Sequence, residues 1–172
     1  MKQKSLKYIL AIAVALITSI VGVKAGPTLA PVVPPPVEIS LATSSVKAYG
    51  TVLIPDVGDE VYGGGLSLEV PLIGQTLYGE LGLTLLEDSV YKLDGNLLGY
   101  VPVAQGLSLY GLGGVGYDFD AEDWSIGLGG GVKYKLAVLP TLALFSDATY
   151  SFSNDETHDG DVTVRLGLGF EF

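Results

Sequence analysis

The stretch that decides the fold is DVTVRLGLGFEF, residues 161–172, in which apolar and small or charged residues alternate without a break. Val162, Val164, Leu166, Leu168, Phe170 and Phe172 fall on one face, and Thr163, Arg165, Gly167, Gly169 and Glu171 on the other. Successive side chains of a strand point to opposite faces, so this segment reads as a strand with one wholly apolar side. Such a strand suits a wall with lipid on one side.

The same period recurs upstream. From Val46 onward strand and short break alternate, giving eight segments at 46–54, 60–70, 75–87, 96–104, 107–119, 124–136, 141–152 and 161–172. The clearest is 124–136, which sets Trp124, Ile126, Leu128, Val132, Tyr134 and Leu136 against Ser125, Gly127, Gly129, Gly131, Lys133 and Lys135. Segments 46–54 and 96–104 carry the weakest pattern. Eight is an even number, as bacterial single-chain barrels require.

Alternation alone leaves open which face is inside, since a soluble eight-stranded barrel of the lipocalin type turns its apolar face inward. A solvated outer face should be rich in charge. Here the second face is mostly Gly, Ser and Thr with a few ionisable groups, which suits a crowded narrow lumen, and the apolar face is expected to look outward to lipid. Charged residues make up only 16% of the chain, Gly is present 24 times, and mean hydropathy is positive, which also speaks for a membrane environment. The expected fold is therefore all-β, an eight-stranded antiparallel up-and-down transmembrane β-barrel with a side-chain-filled polar lumen.

The N-terminal part reads as an export signal. Lys2, Lys4 and Lys7 precede an apolar run from Ile9 to Val23, and Val23, Lys24 and Ala25 offer a cleavage site after Ala25. As a membrane helix the run would be short, because a hydrocarbon core needs about 20 apolar residues. The organisation is read as signal peptide 1–25, a Pro-rich periplasmic leader 26–45 without periodicity, and a barrel over 46–172. The chain has no cysteine, so neither a disulfide framework nor an acylated cysteine is available. The formal charge of -10 becomes -14 when Lys2, Lys4, Lys7 and Lys24 are removed, which argues against a nucleic-acid partner.

The breaks between strands fall into two alternating classes. Leu72 to Gly74, Gln105-Gly106 and Ala137 to Pro140 are tight turns with little charge, whereas Pro55 to Asp59, Asp88 to Gly95, Asp120 to Asp123 and Ser153 to Gly160 are acidic. With both termini periplasmic, the first class becomes the periplasmic turns and the second the extracellular loops. Tyr117, Phe119, Trp124, Tyr150 and Phe152 then gather at the outer interface, with Phe170 and Phe172 at the inner one.

On these features the chain resembles the small OmpA/OmpX-type outer-membrane barrels, over Val46 to Phe172. The closing Gly-Phe-Glu-Phe, with Phe170 and Phe172, resembles the signal by which such barrels are recognised for assembly. The resemblance implies a monomeric, lipid-embedded barrel of the Gram-negative outer membrane, delivered by the barrel assembly machinery. It implies roles ranging over envelope support, narrow pore, adhesin and, in a few relatives, lipid-modifying enzyme.

Three constellations could carry chemistry. Glu69, Glu80, Lys133, Asp147 and Arg165 all fall on inward faces; isolated charges there would be costly, so they are expected to form a lumen ion-pair network. Partner exchange between Arg165 and Glu80 or Asp147 would make that network a gate; otherwise it is a static plug. An acidic outer rim comprises Asp56, Asp59, Glu60, Glu87, Asp88, Asp94, Asp118, Asp120, Glu122, Asp123, Asp155, Glu156, Asp159 and Asp161, opposed by Lys92. Beside lipopolysaccharide phosphates this rim calls for bridging divalent cations, although residues 154–161 lack EF-hand spacing and no ordered metal site is assigned. Finally His158, the single histidine, could serve Ser151 or Ser153 as base with Asp155 or Asp159 orienting it, but no nucleophile motif accompanies it. No enzyme activity and no cofactor are expected. The leading reading is a structural or surface-interacting envelope barrel, with a narrow gated ion pore as alternative and outer-leaflet lipid modification as a distant third.

Overall fold

The computed structural model describes residues 43–56, 58–153 and 160–172. Eight strands account for most of them: β1 Ser45–Ile54, β2 Val61–Ile73, β3 Leu77–Leu86, β4 Tyr91–Ala104, β5 Leu107–Asp118, β6 Asp123–Leu136, β7 Leu139–Ser153 and β8 Asp161–Glu171. Each pairs antiparallel with the next, and β8 pairs with β1 to close the barrel. Closure is made by the terminal alternating strand, whose Phe170 lies opposite Val46 and whose Arg165 lies opposite Thr51. The Phe172 amide continues the ladder by donating to the Ser44 carbonyl at 3.0 Å.

The orientation of the faces excludes the lipocalin arrangement. Ile126 and Leu128 are 60% and 59% exposed, whereas Lys47 and Glu69 are 1% and 0% exposed. A water-soluble barrel would reverse that pattern; a wall bathed in lipid requires it, because each backbone group is satisfied within the closed sheet and only apolar side chains meet the hydrocarbon. Tyr117 packs against Phe119 and Trp124 with ring centroids 5.1 and 4.8 Å apart, and Tyr150 against Phe152 at 4.8 Å, forming an aromatic band where β5 and β7 finish and β6 begins.

The turns at the end of the barrel where β1 begins and β8 finishes are short. Gly74 and Gly106 take φ of +54° and +75°, the left-handed region that only glycine enters without strain, so both hairpins close in two or three residues. Register shifts occur between Pro71 and Ile73 and between Pro102 and Ala104. Proline donates no hydrogen bond to a ladder, and a bulge beside it near the strand end is the arrangement a sheet tolerates.

Several boundaries depart from the sequence reading. β4 begins at Tyr91, not 96, so the acidic loop of Asp88 to Gly95 contracts to a 3-10 turn, Glu87–Ser89, and Val90. Asp and Gly disfavour strands, but Leu85 opposite Tyr91 and Lys92 opposite Asp118 supply paired neighbours on both sides that override the local preference. As a consequence Asp94 leaves the rim and faces the lumen. At the end where β1 begins, Leu72 and Ile73 belong to β2 and Leu139 and Pro140 to β7, leaving turns of 74–76 and 137–138.

Candidate functional site in the lumen

Inward positions of six strands place alternating cations and carboxylates one above another. From the end of the barrel where β8 finishes, Lys135 Nζ meets Glu171 Oε2 at 2.7 Å, and Lys133 bridges Glu171 and Glu69 at 3.0 Å each. Lys47 then bridges Glu69 Oε2 and Glu80 Oε2 at 2.6 Å each. Arg165 Nη1 meets Glu80 Oε1 at 2.9 Å, while its Nε and Nη2 form a fork on Asp147 at 2.8 and 3.0 Å. Lys47, Lys133, Lys135 and Arg165 thus balance Glu69, Glu80, Asp147 and Glu171, and the ladder is neutral as a whole.

Phenols and aromatic faces complete it. Tyr100 donates to Glu69 Oε2 and Tyr110 to Asp147 Oδ2, both at 2.6 Å, short as hydrogen bonds to an ionised acceptor are. Lys47 Nζ also lies 5.1 Å from the Phe145 ring, Lys133 Nζ 5.3 Å from Tyr100, and the Arg165 guanidinium 5.1 Å from Tyr49, within the range where a cation is attracted to a ring face. Tyr78, Leu98, Tyr100, Tyr110 and Leu112 form one buried cluster beside the charges. Room for these rings comes from inward glycines: a Cβ on Gly65 would lie 2.6 Å from the Tyr49 ring, and one on Gly131 2.7 Å from the Tyr110 ring. Desolvating so many charges costs several kcal/mol per ion, and continuous pairing with satisfied lone pairs is what offsets it.

Glu69, Glu80, Lys133, Asp147 and Arg165 therefore meet in one network, with Arg165 holding Glu80 and Asp147 at the same time rather than one of them. Sequence reasoning missed Lys47, Glu171, Lys135 and the tyrosines. Lys47 was within reach, since period-two counting from Val46 puts Lys47, Tyr49 and Thr51 on the inward face of β1; the weakness of that strand's apolar pattern hid them. Glu171 was on the small and charged face of 161–172 but so near the end that a lumen partner was not evident.

Above the ladder the lumen opens into a cavity of about 400 Å³, floored by Thr84, Asn96 and Arg165. Asp94, Asp118, Glu122, Asp123 and Asp161 line its walls and mouth with Lys92, which pairs with Asp118 at 3.5 Å. Asp56, Asp59, Glu60 and Glu87 lie outside that lining. Among the described residues no three His, Cys, Asp or Glu side chains converge as a metal would need. Ser151 faces the cavity, but His158, Asp155, Glu156 and Asp159 lie outside the described residues, as do residues 1–42, which contain the expected signal peptide and most of the leader.

No protein-family description and no curated protein matches the sequence. Similarity lies in the fold. The N-terminal β-barrel domain of OprF from Pseudomonas aeruginosa superposes with a TM-score of 0.60 at 15% identity, over 77% of this chain and 98% of that one. Neisserial surface protein A matches with a TM-score of 0.53 at 14% identity, over 75% and 94%. The attachment invasion locus protein Ail of Yersinia pestis matches with 0.51 at 18%, over 76% and 97%. The fold is that of the small eight-stranded outer-membrane β-barrels.

Proposed function

We propose that the protein is an integral outer-membrane barrel, closed to ions at rest, whose role is structural or surface-interactive in the cell envelope. The carrying observation is the neutral ladder from Lys135 to Asp147, which with Tyr100 and Tyr110 fills the half of the lumen nearer the start of β1 and the end of β8. Eight strands enclose an interior just wide enough for side chains, so such a plug leaves no continuous water path. In this reading the termini are periplasmic, Phe170 and Phe172 present the assembly signal from the inner edge, and the acidic turns face outward, meeting lipopolysaccharide through divalent cations. Ail, by its name an attachment protein, shares the architecture, which is consistent with a surface role. The proposed activity involves no catalytic step.

Planar-bilayer recording of the purified protein tests the closed state, and the deletion strain tests the role. The parent should be electrically silent, and deletion should sensitise cells to detergent, with rescue by the parent. Frequent open steps from the unmodified protein would sink the closed reading.

A gated pore is the second reading, favoured by one geometric fact: Arg165 is shared between two carboxylates and forms the floor of the outer cavity. Arg165→Ala should then introduce single-channel steps absent from the parent. A folded Arg165→Ala barrel that stays silent would leave the plug static and remove the gate.

A further inference from the structure

The outer cavity has a construction that neither the plug nor the gate uses. Its walls are cut back by glycine on β5 and β6: a Cβ on Gly116 would lie 2.9 Å from both Asp94 Oδ1 and Ser125 Oγ, and one on Gly127 2.9 Å from Thr149 Cγ2. Bare backbone at these points lets a carboxylate and hydroxyls overhang open space. The cavity ends on the ladder at Arg165, and its volume of about 400 Å³ is that of a small-molecule site.

Charge decides the class of ligand. Arg165 is already committed to Glu80 and Asp147, and Lys92 to Asp118. Asp94 therefore sits below a mouth whose remaining formal charge is negative, inside a low-dielectric wall that concentrates its field. A compact divalent ion finds no convergent set of ligands among the described residues. An extended cation with several separated N–H groups would meet the spaced carboxylates in turn and donate to the hydroxyls of Thr149 and Ser151 that line the wall. We infer that the cavity binds a linear aliphatic polyamine entering from the outer face, with Asp94 as its deepest anchor. This goes beyond the envelope role and does not depend on whether the ladder opens.

The test is calorimetric titration of the protein, purified from outer membranes in neutral detergent, with spermidine at low salt, folding being checked by heat-modifiable migration. Saturable one-site binding is expected, weakened about tenfold or more by Asp94→Asn, a near-isosteric change, and also by Gly116→Val, which narrows the cavity. Asp59→Asn and Glu60→Gln, outside the lining, should stay within about twofold of the parent, as screened exposed charges do. Three results would each overturn the inference: no saturable binding, equal weakening by Asp59→Asn and Asp94→Asn, or magnesium ion binding as tightly as the amine. The last two would mean a diffuse counterion atmosphere.

Discussion

Lys47→Met is the sharpest probe of the ladder. Lys47 is 1% exposed and holds Glu69 and Glu80 at 2.6 Å each, so methionine keeps most of the volume while removing the charge between two buried carboxylates. Glu69 retains Lys133 and Tyr100, and Glu80 retains Arg165, but the ladder acquires a net negative charge with nowhere to disperse. Removing one partner of a buried ion pair typically costs about 3–5 kcal/mol, and this lysine serves two. Lys135→Met is the control: Lys135 is 45% exposed, and its partner Glu171 keeps Lys133, so the change should cost about 0–1 kcal/mol. Restoring neutrality with Lys47→Met/Glu80→Gln should recover part of the loss, giving a coupling of about 1–3 kcal/mol. The assay is equilibrium urea unfolding in lipid vesicles, read by Trp124, the single tryptophan, which lies on the lipid face, and by heat-modifiable gel migration. A Lys47→Met barrel as stable as Lys135→Met, or a double variant no better than the single, would refute the claim that charge balance along the lumen holds the plug together.

Two further predictions use the same assay. Gly131→Val should lose about 1–3 kcal/mol or more by overpacking, because its Cβ would press on the Ser146 carbonyl, on Asp147 and on the Tyr110 ring, whereas Gly99→Val on the lipid face, with nothing within 4 Å of its Cβ, should stay within about 0.5 kcal/mol of the parent. Leu128→Arg, on the outward face near the middle of β6, should cost about 2–4 kcal/mol in a bilayer, as a charge at the midplane does; a cost near zero in vesicles would remove Leu128 from the hydrocarbon.

The site was partly legible for the same reason that the fold was. Period two is a property of each strand alone, so the inward positions of Glu69, Glu80, Lys133, Asp147 and Arg165 followed from counting along the chain. Partners did not follow. Lys133 and Glu69 are 64 residues apart, and Arg165 and Glu80 85 apart, and they meet across strands that are not hydrogen-bonded neighbours. Which charges share a height depends on the stagger that accumulates around the barrel, and no local pattern records it.

Asp94 shows the limit from the other side. Asp94, with its neighbours Lys92 and Gly95, fell in the break read over 88–95, and the acidity of that segment matched the other acidic turns. Only the pairing of β4 with Leu85 on one side and Asp118 on the other draws it into the sheet and turns its carboxylate inward. By itself the sequence determined that this chain makes alternating strands with an apolar wall and a small-residue lumen, since that depends on side-chain chemistry and a fixed period. The tertiary structure alone decided that the lumen is a neutral ladder closing one half and a cavity opening the other, because electrostatic balance and empty volume are properties of strands brought together in one register.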